Sequence, residues 1–231
     1  MENLRELAQR EKEFLVALRR ELHRRPGLAL QEYHTAAVIE RELDAVGISH
    51  TRIGETGVLG TLRGTAAGDG TGTESGPEKR VALRADIDAL PIQEESGAPY
   101  RSETDGVMHA CGHDGHTACL LGAAKLLARC RDAFSGEIRL LFQPAEETGG
   151  GAMDFIDAGA LRGVGRVFGL HVAPDLPIGT VGIKPGLNNA AVDHFRIRVH
   201  GRAAHVSTPH LGADALSAAS QIVVAIQGIV S

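Results

Sequence analysis

Apolar residues recur at helical spacing through residues 2–24. Leu4, Leu7, Phe14, Leu15, Leu18 and Leu22 fall on one stripe of an otherwise charged segment. The pattern predicts an amphipathic helix that Arg25-Pro26-Gly27 stops. A second helix is expected from about Gln31 to Val46, ended by Gly47. Short β-like segments follow at 49–53 and 57–63. Residues 64–79 are rich in Gly, Thr and Ser without periodicity and read as a surface loop. Arg80 to Ala85 reads as a short apolar strand that carries Asp86 and Asp88 to its carboxyl end. An irregular stretch at 89–110 precedes an Ala- and Leu-rich helix from about Asp114 to Cys130. Glu137 to Phe142 reads as a strand, and a short helix ends near Ala158. Segments 167–172 and 178–184 look like two more strands.

Alternating strands and helices argue for an α/β layered domain. In such sheets, sites collect beyond the carboxyl ends of the strands. Asp86 and Asp88, Glu146 and Glu147, and His171 all fall there. After Pro185-Gly186 the texture changes. Asp193 to His200 alternates, with Phe195, Ile197 and Val199 on one face and Arg196 and Arg198 on the other, as in a strand with one wet side. A helix is expected from Gly212 to about Val230. One strand and one helix cannot bury a core of their own. The expectation is therefore a first domain over 1–186 and an incomplete second domain over 187–231.

Charge and composition narrow the function classes. The net charge of −5, with no Lys/Arg run, gives no reason to expect nucleic acid. No apolar run reaches transmembrane length, and the charged amino terminus lacks the apolar stretch of a signal peptide, so no membrane partner and a cytoplasmic location are expected. Three cysteines, an odd count, suit ligand or free thiols better than a disulfide framework. The loop at 64–79 carries no GxGxxG or Walker pattern before a helix, so phosphate binding there is rejected.

The chemistry concentrates in Met108-His109-Ala110-Cys111-Gly112-His113-Asp114-Gly115-His116. Four Cys or His side chains in eight residues, set in a tight glycine-containing turn, are unusual in a core. Cys111 and His113 are first-row metal ligand types at the mouth of a helix. Cys119 and Cys130, among Leu and Ala, read instead as small core residues. Glu146 and Glu147 follow a strand and point in different directions. One carboxylate can bind metal while its neighbour reaches the attacking water. Asp86 and Asp88, two apart, face the same way in extended chain. They read as strand-end acceptors or as groups that orient a ligand histidine. His23, His34, His50, His194 and His200 read as loop histidines without a role.

Six segments, in this order, resemble the M20 metallopeptidase family: Leu22-His23-Arg24-Arg25-Pro26, Arg84-Ala85-Asp86-Ile87-Asp88-Ala89-Leu90-Pro91, His109 to His116, Phe142-Gln143-Pro144-Ala145-Glu146-Glu147, Gly169-Leu170-His171 and Gly201-Arg202-Ala203-Ala204-His205. Within that family the chain is most similar to the branch of hippurate hydrolases, N-acyl-amino-acid amidohydrolases and plant auxin-conjugate hydrolases. The resemblance implies a metal-binding α/β catalytic domain, with a mixed sheet flanked by helices, interrupted by a smaller α+β lid domain that dimerises. It implies one or two divalent ions (Zn, Mn, Co or Ni) on Cys111, His113, Glu147 and His171. Glu146 would be the general base, Asp88 a strand-end aspartate of the site, and His205 a lid residue that contacts substrate. The implied reaction is hydrolysis of an N-acyl-amino acid, a small molecule, by a homodimer. Dipeptidase or carboxypeptidase activity, or an inactive metal-binding fragment, are the alternatives.

The chain departs from the family pattern in two places. It stops inside the lid, before the return that supplies a last histidine ligand. Gly27 also stands where the branch commonly has an acidic residue after Pro26.

Overall fold

The computed structural model describes residues 4–66, 80–189 and 194–229. Most of the expected 64–79 loop and Asp193 lie outside them. The chain divides into two compact units, Met1–Gly182 and Ile183–Ser231.

The first unit is a five-stranded mixed sheet flanked by helices. In chain order it holds α1 (Leu4–Arg10), α2 (Lys12–Arg24), α3 (Tyr33–Ala45), β1 (Ser49–Ile53), β2 (Gly57–Arg63), β3 (Arg80–Asp86), α4 (His113–Arg129), β4 (Glu137–Gln143), α5 (Ala152–Asp157) and β5 (Arg166–Gly169). The spatial order is β1-β2-β4-β3-β5. β1, β2 and β4 pair antiparallel, whereas β3 lies parallel to both β4 and β5. A parallel pair needs a crossover, and α4 lies on that connection between β3 and β4.

The core forms because β4 alternates. Ile138, Leu140 and Phe142 face one side, where they meet Leu18 and Leu22 of α2, Val38, Ile39 and Leu43 of α3, and Leu120, Leu121 and Ala124 of α4. Leu141 faces the other side and packs with Ile53, Ala82, Phe155 and Ala160. Strands buried on both faces read as near-continuous apolar runs, as β4 does.

Three expectations are corrected. The single helix over 2–24 is two helices that part at Glu11. There the amide bonds the carbonyl of Ala8, three residues back, and the buried carboxylate turns to Lys125 and Arg129 of α4 at 2.6 and 2.7 Å. Segments 178–184 and 194–200 join no ladder among the described residues, and 178–179 lie in a turn closed by the Thr180 amide on the Pro177 carbonyl at 3.0 Å; a strand exists only with a partner to take its hydrogen bonds. Cys119 is exposed and Cys130 is half-buried.

The second unit carries α6 (Ala215–Gln227). Asp214 caps it, accepting from the amides of Leu216 and Ser217 at 2.9 and 3.0 Å. Arg202 and Ala213 form a short antiparallel bridge that closes the loop carrying His205.

Phe142 is fully buried at the centre of the larger core. Phe142→Ala should lower unfolding free energy by about 3–5 kcal/mol, read from the midpoint of chemical denaturation.

Candidate metal centre

All but one of the sequence-derived site residues belong to the first unit, where four chain segments converge beyond the carboxyl ends of β3, β4 and β5. Ligand-capable atoms of Cys111, His113 and His171 lie within 4.8 Å of one another, and so do those of His113, Glu146 and Glu147. His113 belongs to both groups. Cys111 and His171 are 60 positions apart in the chain, yet Sγ and Nε2 stand 3.3 Å apart. His205 lies in the second unit, exposed, with Nδ1 2.8 Å from the Ser207 hydroxyl.

Asp88 organises the centre. It is 1 % exposed, and one oxygen accepts from His113 Nδ1 at 3.2 Å while the other accepts the Glu147 amide at 2.9 Å. Burial works against its ionisation, but these bonds outweigh it and hold the carboxyl below its usual range. With its Nδ1 proton directed at Asp88, His113 turns Nε2 toward Glu147 Oε1, 3.7 Å away. Both of those buried atoms lack a hydrogen-bond partner.

Two ligand-type atoms facing each other without a proton donor between them match the donor pair of a cation site. So does the surrounding charge. The Cys111 thiol is pushed up to about 12, first by burial and then by Glu147, Asp86 and Glu146. Burial opposes protonation of His113, yet Asp88 and the nearby Asp86 and Glu147 raise its pKa above 6.5. A thiol, two imidazoles and paired carboxylates are a donor set that fits a first-row divalent ion.

The backbone delivers these groups by specific local devices. Gly112 sits at φ +85°, and a Cβ there would lie 2.7 Å from Val172 Cγ2, so Gly lets the 111–113 turn approach the 171–172 segment. Ala145 adopts φ +56°, uncommon for a residue with a side chain, immediately before Glu146 and Glu147. The fully buried Glu32 holds it there, accepting the Ala145 amide at 2.9 Å and the Thr56 hydroxyl at 2.6 Å. Gly27 permits this placement of Glu32. A Cβ at residue 27 would come within 2.6 Å of the Glu32 Cα. The absence of an acidic side chain at 27 therefore has a local packing reason.

Sequence reasoning passed over several residues here. His116 bonds Asp86 at 2.6 Å, so both aspartates orient histidines. The missed signal was its spacing of three from His113, which puts the two rings on one helix face, 5.4 Å apart. His23 is no loop histidine. It is 3 % exposed in the last turn of α2 and bonds Asp114 at 2.7 Å and Glu94 at 3.3 Å. Arg19 joins Asp114 at 2.8 Å, so the residue after His113 ties α2 to the first turn of α4. Buried His109 lies beside them, and burial pushes its pKa down to about 4.

Two predictions follow from these anchors. Glu32→Ala leaves the Ala145 and Thr56 donors without their acceptor, and should lose about 1–3 kcal/mol of stability per donor in urea titrations. Glu32→Gln, which still accepts from Ala145 and can donate to Thr56, should lose less. The Asp114 hydrogen bond, opposed by burial, raises the pKa of His23 above 6.5. A raised folded-state value adds stability that is complete below pH 6.5 and is lost as pH rises through the raised pKa. The stability difference between the parent and His23→Gln should shrink as pH climbs from 6.5; a difference that grows would contradict the protonated pair.

Comparison with known proteins identifies the family. The family model described as peptidase family M20/M25/M40 matches residues 82–230. The chain is 48 % identical over 218 residues to the N-acetyl-L-cysteine deacetylase of Bacillus subtilis, covering 94 % of this chain and 50 % of that protein. It is 43 % identical over 221 residues to thermostable carboxypeptidase 2 of Saccharolobus solfataricus, covering 94 % of this chain and 54 % of that protein. A crystal structure from Bacillus subtilis, described as a dinuclear metal binding peptidase from the M20 family, superposes with a TM-score of 0.68 at 43 % identity. That match covers 79 % of this chain and 48 % of the other. The chain thus spans about half the length of the relatives it matches. With the family model covering well over half of its residues, the chain belongs to peptidase family M20/M25/M40.

Proposed function

We propose that the whole protein hydrolyses the amide bond of N-acyl-amino acids, giving a carboxylate and a free amino acid. The facing, unpartnered pair of His113 Nε2 and Glu147 Oε1 carries this reading. Cys111, His113, Glu147 and His171 would hold one or two divalent ions, for which Zn, Mn, Co and Ni all suit a thiolate and imidazoles. When bound, such an ion supplies Lewis acidity and acidifies water toward a pKa of about 7.

The chain's own residues would do the rest. Glu146, adjacent to a ligand and half-buried, takes the proton of the attacking water as it adds to the amide carbonyl. It then returns that proton to the departing amine nitrogen as the C–N bond breaks. Asp88 keeps the His113 proton on Nδ1, away from the site. The second unit would be the lid, with His205 binding the substrate's carbonyl or carboxylate oxygen, and the homodimer would form through it. No helix among the described residues is long and apolar enough to cross a membrane.

The name of the Bacillus deacetylase supports an N-acyl substrate. The name of the Saccharolobus relative favours a second reading, removal of a carboxyl-terminal residue from a peptide. Parallel assays on N-acetyl-amino acids, N-benzoyl-amino acids and unblocked dipeptides separate the two. A preference for unblocked dipeptides would move the protein to the peptidase reading.

Metal content should fall in both Cys111→Ser and His171→Ala when measured by elemental analysis of the folded protein. Parent metal content in both would dismiss the ligand assignment. In the whole protein, Glu146→Gln should lower turnover by about 10²-fold or more with metal content near that of the parent. Near-parent turnover would remove Glu146 from the mechanism.

A further inference from the structure

We infer that His116 is a positioning residue for His171, acting through the backbone of Val172 and oriented by Asp86. The inference rests on the metal-centre reading. His116 Nε2 stands 2.9 Å from the Val172 amide nitrogen. A backbone N–H can only donate, so Nε2 carries the lone pair and the ring proton is on Nδ1. That proton points at Asp86 Oδ1, 2.6 Å away. The second Asp86 oxygen takes Arg84 at 2.8 Å. Asp86 is fully buried, and each of its oxygens faces a donor.

Val172 passes this orientation on. Its carbonyl accepts from His171 Nδ1 at 2.7 Å, and a carbonyl can only accept. The His171 proton is therefore on Nδ1, and Nε2 keeps its lone pair on the Cys111 side, 3.3 Å from Sγ. One residue's amide and carbonyl thus set the tautomers of two histidines. The rings reinforce this, meeting edge to face with centroids 4.6 Å apart.

The position in the sheet explains why such a device is needed. β5 ends at Gly169, opposite Arg84. A ladder continued for two residues would set Asp86 beside His171, but the pairing stops. The Val172 amide goes to His116 in place of a neighbouring strand. His116 also supplies no ligand atom, because both ring nitrogens are used. The cluster of Asp86, His113 and His116, whose ligand-type atoms also lie within 4.8 Å of one another, is therefore an orienting group and not a separate cation site.

The test uses two isosteres. Gln at 116 places its side-chain carbonyl at the reach of Nε2 and can accept the Val172 amide. Asn at 116 places a donor at the reach of Nδ1 and can serve only Asp86. In the metal-free protein, hydrogen exchange of the Val172 amide should be slow in the parent and His116→Gln and fast in His116→Asn. Cobalt titration, read by the thiolate charge-transfer absorption of Cys111, should give an affinity about 10–100-fold weaker for His116→Asn, with most of the parent affinity kept by His116→Gln. Far-UV circular dichroism confines the comparison to folded variants, and rescue by Gln separates positioning from general damage to the core. Parent-like cobalt affinity in His116→Asn, or a Gln variant as weak as Asn, overturns the inference. If the parent itself gives no charge-transfer band while the exchange pattern holds, the metal-centre reading fails and the anchoring of residues 171–172 by His116 stands.

Discussion

Parallel pairing of β3 with β4, in a register that sets Asp86 opposite Gln143, decides where everything else in the first unit can act. Two strands that run the same way exit the sheet at the same end. The turn after β3 therefore presents Asp88 beside the turn after β4, which presents Glu146 and Glu147. The crossover returns to that end as the first turn of α4 and brings His113 and His116 with it. β5, also parallel, adds His171 from the other side of β3. An antiparallel β4 would have carried the glutamates to the far end of the sheet, out of reach of every histidine.

Around that end the protein invests in buried carboxylates. Asp86, Asp88, Asp114 and Glu32 are each almost wholly shielded from water, and each is bonded to groups that place a ligand type or the loop beside one. Burying charge is expensive even when it is paired, and apolar residues of similar volume would often be as stable. What these acids provide is geometry. Directed hydrogen bonds fix ring orientation and backbone position more tightly than apolar contact does.

Much of this was legible in the sequence because periodicity and residue type act locally. β1 to β4, α3 and α4 fall within a few residues of their expected limits, and the ligand-type residues announce themselves by their density between His109 and His116. The rest depended on partners that a linear reading does not see. The break at Glu11 answers to Lys125 and Arg129, more than a hundred positions away. His23 looked idle because Asp114 and Glu94 reach it only after folding. His116 was given no role of its own because its acceptor role is set by a backbone amide, which has no signature in a sequence. The segment at 194–200 has the alternation of a strand, but alternation supplies a face and not a neighbour.

Asp88 touches both the imidazole of one candidate ligand and the main chain of another, so one side chain couples two segments of the chain. His113 is held by its ring and Glu147 by its main chain, both on one carboxylate. Loss of that single carboxylate would be felt in two chain segments at once, the first turn of α4 and the turn after β4.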